Sequence, residues 1–504
     1  MSSDAVGTER ISSVVGYKLV GGNFATTSPN LPQRIALIGE ANEANQATLD
    51  LTPKEGLTLK KVGELYGFGS PLYLAYRILK PVSGGGIGGI PVKIYPQAKA
   101  SGATAKVFEI EPVGTATGNG VHTIVLGGRK SLDGVNYDIN INTGDTQADI
   151  TAKIEDVINA VLGAPASATS TDYLATVTSK WRGKTADALT LTIDDNGNDL
   201  GILYDVNVTQ NGAGTPSIAT ALSSFGDEWN TIVLNTYGTE TAILSSLETT
   251  NGIPSIDTPT GRFATIVMKP FIAITGSVAE DPSTVTDARS ENVTIAIAPA
   301  PLSAGLPLEA AANMTVLYSV QAQNNPHLDV QEKSYPDMPT PTAIGDMSDY
   351  DLRDAIVKKG CSTVNLEGGK YVVKDFVTTY HPSGEVVPQF RYVRNLTIDF
   401  NVYFGYHLLE ATNVVAHAIA DDNDIVDAPK VVKPKQWKAI LNQYADDLAN
   451  RALIVQSQFM KDSIIVNLST VNPDRLETRF SYKRSGFVRI ASTTAEAGFN
   501  FGTV

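Results

Sequence analysis

Three short runs in this chain have the residue types of a ligand site, and each lacks a part that its chemistry requires. Gly84-Gly85-Gly86-Ile87-Gly88-Gly89 satisfies G-x-G-x-x-G. That spacing lets backbone N–H groups cradle a dinucleotide pyrophosphate when a strand precedes it and a helix opens at its end. Here a β-like stretch, residues 90–95, follows, so the run reads as a flexible loop. Gly183-Lys184-Thr185 matches the end of a phosphate-binding loop, but Thr178 stands where the loop's first glycine belongs. Asp194-Asp195-Asn196-Gly197-Asn198-Asp199 resembles a calcium loop. Aligned on Gly197, its first and last ligand positions fall on Thr192 and Leu203, where acids are needed. An acidic hairpin turn is the expected structure.

The remaining catalytic residue types are dispersed. The five histidines are His122, His327, His381, His407 and His417, and none forms H-E-x-x-H or joins a Cys/His cluster. No G-x-S-x-G is present. A Ser-His-Asp site converging from distant segments is left open by sequence. Cys361 is the single cysteine, so neither an intramolecular disulfide nor a cysteine zinc site can form. The expectation is a non-enzyme with no cofactor and no metal.

Composition narrows the class. At 504 residues the chain exceeds a single core, and two to four domains are expected. A net charge of −14 disfavours wrapping a nucleic acid, which requires clustered Lys and Arg. The charge is uneven: residues 475–504 hold Arg475, Arg479, Lys483, Arg484 and Arg489 against Glu477 and Glu496. A basic end on an acidic protein suits contact between copies or with an acidic partner; it equally suits an edge strand guarded by bases. No run approaches the roughly 18–20 apolar residues of a membrane span. The longest, 263–275, is broken by Lys269 and Pro270. Residues 1–9 are polar and acidic, unlike a secretory leader, so folding in a reducing cytosol is expected.

The elements that must position any site alternate in kind. A short apolar strand at 33–39, a helical stretch at 59–79 and a strand at 91–96 open an α/β layer. From 101 to 214 the texture turns Thr- and Gly-rich. Strands are expected there at 106–111, 122–126, 137–141, 173–178, 189–193 and 203–208. A helix capped by Asp145-Thr146 and faced by Ile150, Ile154, Val157, Ile158 and Val161 interrupts them. The α/β pattern then resumes, with helices at 216–222, 240–249 and 307–321 and strands at 231–234, 263–268 and 293–298. One sheet closed by distant segments is the expected consequence. Beyond 346 come a helix (349–358), a hairpin across Glu367-Gly368-Gly369 and two long helices, 393–420 and 435–460.

Both ends of the chain alternate like β-strands. In 11–20, Val15, Tyr17 and Leu19 share a face; in 479–491, Phe480 and Tyr482 share one, and Val488 and Ile490 alternate with Arg489. A lone strand is unstable in water, and ordering ten residues costs on the order of 10–20 kcal/mol of backbone entropy. Each must therefore join a sheet, either at an edge in its own molecule or in a neighbouring copy.

Assembled in this order, the features resemble the contractile-tail sheath proteins of bacteriophages, above all those of Mu-like myophages. The resemblance rests on Ile11-Ser-Ser-Val-Val-Gly-Tyr-Lys-Leu-Val20-Gly-Gly-Asn-Phe24, on Gly144-Asp-Thr-Gln-Ala-Asp-Ile-Thr-Ala-Lys-Ile154 and on Trp229-Asn-Thr-Ile-Val-Leu-Asn-Thr-Tyr-Gly238. Thr378-Thr-Tyr380, His381-Pro-Ser-Gly384 and Arg391-Tyr-Val-Arg394 are similar to the sheath C-terminal domain. It covers nearly the whole chain and is weakest over 101–214. The resemblance implies an α/β (α+β) multidomain fold: an N-terminal arm (1–30), a discontinuous α/β middle domain (31–100 and 215–345), an inserted β-rich outer domain (101–214), a C-terminal α+β domain (346–478) and a C-terminal arm (479–504). It implies hexameric rings stacked around a tail tube, linked by strand exchange through Val15, Tyr17, Leu19, Phe480, Tyr482, Val488 and Ile490. Other copies, the tube protein, and baseplate and tail terminator proteins are the implied partners, with neither nucleic acid nor membrane engaged directly. The implied location is a virion tail, assembled in the host cytoplasm. Lys433, Lys435 and Lys438, in the region similar to the tube-proximal domain, are candidates for tube contact. The sheath of a headless, bacteriocin-like particle, an α/β enzyme with a β accessory domain, and a surface adhesin are the alternatives; the polar, acidic start of the chain argues against the adhesin.

Overall fold

The computed structural model describes residues 29–255, 257–384 and 388–497. Within them the chain forms two compact units, one of residues 30–404 with 484–497, the other of 405–483.

The first unit is organised by a six-stranded sheet. Ile35–Glu40 is the apolar strand that the sequence leads one to expect, and all six of its residues are buried. It pairs in parallel with Val92–Gln97 on one side and Ile232–Asn235 on the other. Ile272–Ser277 and Ile295–Pro299 extend the parallel order, and the short strand Lys54–Glu55 closes the far edge antiparallel. Strands buried on both faces read as continuous apolar runs, as these do. The crossover between the first two strands is two helices, Leu59–Tyr66 and Pro71–Leu79. The expected single stretch is interrupted at Gly67 and Gly69, both with positive φ, and Ser70 caps the second helix. Helix Pro307–Asn324 covers the sheet at close range. A methyl group on Gly276 would lie 1.7 Å from the Pro307 carbonyl oxygen, so only glycine admits this approach.

One expected strand is corrected. Residues 263–268 form no strand; Gly261–Phe263 is a single 3-10 turn, and Ile266 is fully exposed. Arg262, within that turn, donates from its guanidinium to the carbonyls of Lys269, Gly226 and Glu228, on either side of this segment. The strand forms after Pro270 instead, at Ile272–Ser277. Apolar composition alone does not separate these two neighbouring runs.

Residues 101–214 build two larger antiparallel sheets besides a small hairpin of Ser131–Leu132 with Val135–Asn136. The four-stranded one has the order Leu203–Gln210, Val107–Val113, Ala175–Ser179, Ala166–Ser170; the three-stranded one has the order Leu191–Asp194, Gly120–Leu126, Asp138–Ile141. Ala166–Ser170 had no clear signal, because its residues are small and polar. Helix Gln147–Ala160 starts at a capping box between Thr146 and Asp149 and buries Ile150, Ile154 and Ile158, as its 3.6-residue period dictates. Its core is continuous with that of the large sheet.

Hairpin Thr363–Glu367 and Lys370–Asp375 turns at Gly368 and Gly369, both with positive φ. Cys361 is fully buried, and burial pushes its thiol well above the ordinary range, so it is not poised as a nucleophile.

The second unit combines helices with short strands. Trp437 and Leu441, from helix Pro434–Asn450, pack with Val432 and Ile464 as its core. The expected helix 435–460 is two helices. Ala452 and Gln456 have positive φ, and Ser457–Ser463 begins anew. Leu453 and Ile454 stay buried across the break while Phe459 is half exposed, so the apolar stripe continues where the helix does not. The preceding helix ends at Asn413 rather than 420.

Candidate functional site

With no catalytic constellation legible in the sequence, the candidate site is the C-terminal segment. Its first part is preceded by a strand with a local partner. Leu476–Arg479 pairs antiparallel with Ile465–Leu468, a β-branched run whose strand character sequence analysis passed over. Phe480 follows directly and packs into the helical unit, its ring 5.4 Å from Tyr406 and 6.4 Å from Tyr482. Lys483 lies 4.4 Å from the Phe459 ring centre and donates to Gln456. Phe480 and Tyr482 thus have partners within their own unit.

From Arg484 onward the chain belongs to the other unit, and among the described residues it carries no strand beyond that one. Three arginines hold it there. Arg484 forms a bidentate pair with Asp399, both contacts 2.6 Å, and lies over the Phe390 ring. Arg394 donates to the Ser485 carbonyl at 2.8 Å, to the Ser485 hydroxyl at 2.6 Å and to the His327 carbonyl at 2.6 Å. Arg489 pairs with Asp329, whose side chain is almost wholly buried, and its guanidinium lies 3.7 Å from the Tyr392 ring centre. Planar guanidinium groups suit both tasks, since they bind carboxylates two bonds at a time and stack on rings. Burial raises Asp375 beside this cluster, with Thr363 and Arg489 opposing.

The result is a one-sided strap. Phe487 and Arg489 face the protein, while Val488 and Ile490 are 79% and 81% exposed. The alternation expected for 486–490 is therefore present without strand pairing, and it is the apolar pair that faces outward. Arg394, Asp329, Asp399 and Tyr392 were not singled out one by one by sequence analysis. The Arg391-Tyr-Val-Arg394 run was the available signal, since two bases flanking Tyr-Val can hold a chain by its carbonyls.

Val15, Tyr17 and Leu19 lie outside the described residues. Lys433, Lys435 and Lys438 stand at the start of helix Pro434–Asn450. The Lys433 ammonium donates to the Asp424 carbonyl, and the Asp422 carboxylate accepts from the Lys435 backbone N–H at 2.8 Å. Acids of the 421–427 link therefore stand beside these bases, and Lys435 is exposed. Among the described residues no group of three or more His, Cys, Asp or Glu side chains could hold a metal ion. No helix among them is long and apolar enough to cross a membrane.

No family model matches this chain. A curated relative, the Mu-like prophage FluMu tail sheath protein of Haemophilus influenzae, is 24% identical over 157 residues, which is 31% of this chain and 31% of the relative's own length. Among solved structures, a sheath tail protein of Desulfitobacterium hafniense superposes with a TM-score of 0.44 at 9% identity, covering 93% of this chain and 100% of its own. The baseplate structure of the anti-feeding prophage gives 0.46 at 11% identity, covering 97% of this chain and 100% of the matched one. Its contracted helical sheath gives 0.42 at 10%, with 96% and 100% covered. In sequence, the chain resembles the contractile-tail sheath proteins of Mu-like phages.

Proposed function

We propose that this chain is the subunit of a contractile tail sheath. Copies stack as hexameric rings around a rigid tube, joined by exchanged terminal strands, and the assembly shortens and widens to drive the tube through an envelope. The match to the Haemophilus influenzae tail sheath protein carries the reading. The strap at 484–490 supports it. Its anchored face fixes the root of the arm, and its outward Val488 and Ile490 suit addition to a sheet of a second copy. In such pairing main-chain hydrogen bonds supply the join, and alternate side chains set the register. Residues 11–20, with Val15, Tyr17 and Leu19, are the second exchanged strand. Phe480 and Tyr482 secure the arm at its base. Lys435 and Lys438 face an acidic tube surface, and residues 101–214 point away from it. Contraction is a move between two packings of the same subunits, summed over many copies.

Negative-stain microscopy of the purified full chain tests the core of the reading. Striated or hollow cylinders are expected. A folded protein that stays monomeric at every concentration and salt condition tried would reject a self-assembling sheath.

A further inference from the structure

Glu40 ends the central strand of the large sheet and is 1% exposed. Neither of its carboxyl oxygens has a hydrogen-bond partner among the described residues, and neither does the buried hydroxyl of Tyr237 nearby. What covers the carboxyl is the neck of the inserted segment. Gly183 adopts φ +142°, and a methyl group placed on it would lie 2.9 Å from Glu40 Oε2 and 3.2 Å from the Gly214 carbonyl oxygen. The same neck is tied by Thr104 donating to Ala213, Gly183 donating to Thr104 and Lys184 donating to Gly214. The chain enters and leaves the insertion directly above a carboxyl group that has no compensating charge.

The neighbouring bases are committed elsewhere. Arg182 and Lys99 pair with Glu43, and Lys184 pairs with Asp187. The titratable group across from Glu40, on the segment after Ile232–Asn235, is Tyr237, which is neutral at ordinary pH. An ionised, unpaired carboxylate in such a place is costly, and the group avoids the cost by keeping its proton.

We propose that Glu40 is a proton-operated lock on the neck of the inserted segment: neutral, it is sealed beneath Gly183 and Gly214, and ionised, it favours the opened neck. Burial pushes Glu40 from its ordinary 4.5 up to about 8. The opened form therefore loses its proton from about pH 4.5 upward, whereas the closed form does so only near 8. Between those limits the closed form holds more protons, so rising pH favours opening, and above 8 the effect levels off.

Hydrogen exchange of the Gly183, Lys184 and Ala213 amides in the full chain, corrected at each pH for intrinsic exchange, reads the opening constant. It should rise up to about tenfold per pH unit between roughly 5 and 8, then flatten. In Glu40→Gln, and in Glu40→Met as an apolar variant of similar length, the slope should vanish. A flat wild-type profile overturns the proposal without any variant. A slope that survives in both variants overturns it as well.

Discussion

Arg489 lays its guanidinium 3.7 Å from the centre of the Tyr392 ring. The same group neutralises Asp329, whose side chain is 2% exposed. One residue eight positions before the last described one thus both stacks and pairs, and it fixes which face of the strap turns outward.

Arg489→Ala should release the strap. It removes a cation–π contact worth up to about 2 kcal/mol when desolvated and leaves Asp329 as a buried charge without its cation, a loss of roughly 3–5 kcal/mol in comparable cases. Arg489→Lys should restore the charge but not the planar stack. Limited proteolysis should show cleavage after residue 484 rising in the order wild type, Lys, Ala. Equal cleavage in all three would mean that the strap is held by Arg394 and Arg484 alone.

Val488→Asp with Ile490→Asp should leave the isolated subunit unchanged, because both side chains face water and such substitutions typically cost within about 0.5 kcal/mol. Assembly should fail, because charges would be buried at the proposed strand junction. Thermal melting and microscopy separate the two effects. Cylinders of wild-type length from the double variant would reject strand exchange through these residues.

The second buried charge cluster predicts an acid sensitivity. Arg129 joins Glu309 at 2.9 Å and Asp337 at 2.6 Å, and Arg77 joins Asp337 at 3.0 Å, tying the insertion to helix Pro307–Asn324. Burial alone would raise the Asp337 carboxyl, but Arg129 and Arg77 outweigh it and hold the group below its ordinary 3.8. A depressed carboxyl stabilises fully above its unfolded value and loses that contribution as pH falls through the folded one. Stability from this cluster should therefore be flat above about pH 4 and drop below it. Arg129→Met should cost roughly 3–5 kcal/mol at neutral pH and shrink the acid-side loss, as measured by urea denaturation from pH 2.5 to 7.

Charge reversal at Lys435 and Lys438 should weaken assembly on a tube, and added salt should weaken it further, since exposed charges are screened over about 10 Å at 0.1 M salt. Tube-free polymers should persist. Co-sedimentation with tubes that matches wild type would exclude these bases from the contact.

Periodicity in the sequence was enough for elements whose partners are local. The capped helix with Ile150, Ile154 and Ile158 on one face, the hairpin at Gly368-Gly369, and the buried strand 35–40 all form where their residues indicate, because a single burial face and a turn decide them. The resemblance to Mu-like sheath proteins was also legible, carried by the order of motifs and by no chemical signature. Where two apolar runs compete for one place, sequence was insufficient. Residues 263–268 form no strand, and Ile272–Ser277, just beyond Pro270, takes the place in the sheet. The stripe 435–460 broke at Ala452 and Gln456 although its apolar spacing runs on, since periodicity records which side is buried and not whether the backbone stays helical. The outward face of Val488 and Ile490, the clamp of Arg394, Arg484 and Arg489, and the sealing of Glu40 under Gly183 were decided by tertiary structure alone. Each depends on residues some 85 to 160 positions apart or on a close approach of two backbones, and no local pattern encodes such a meeting.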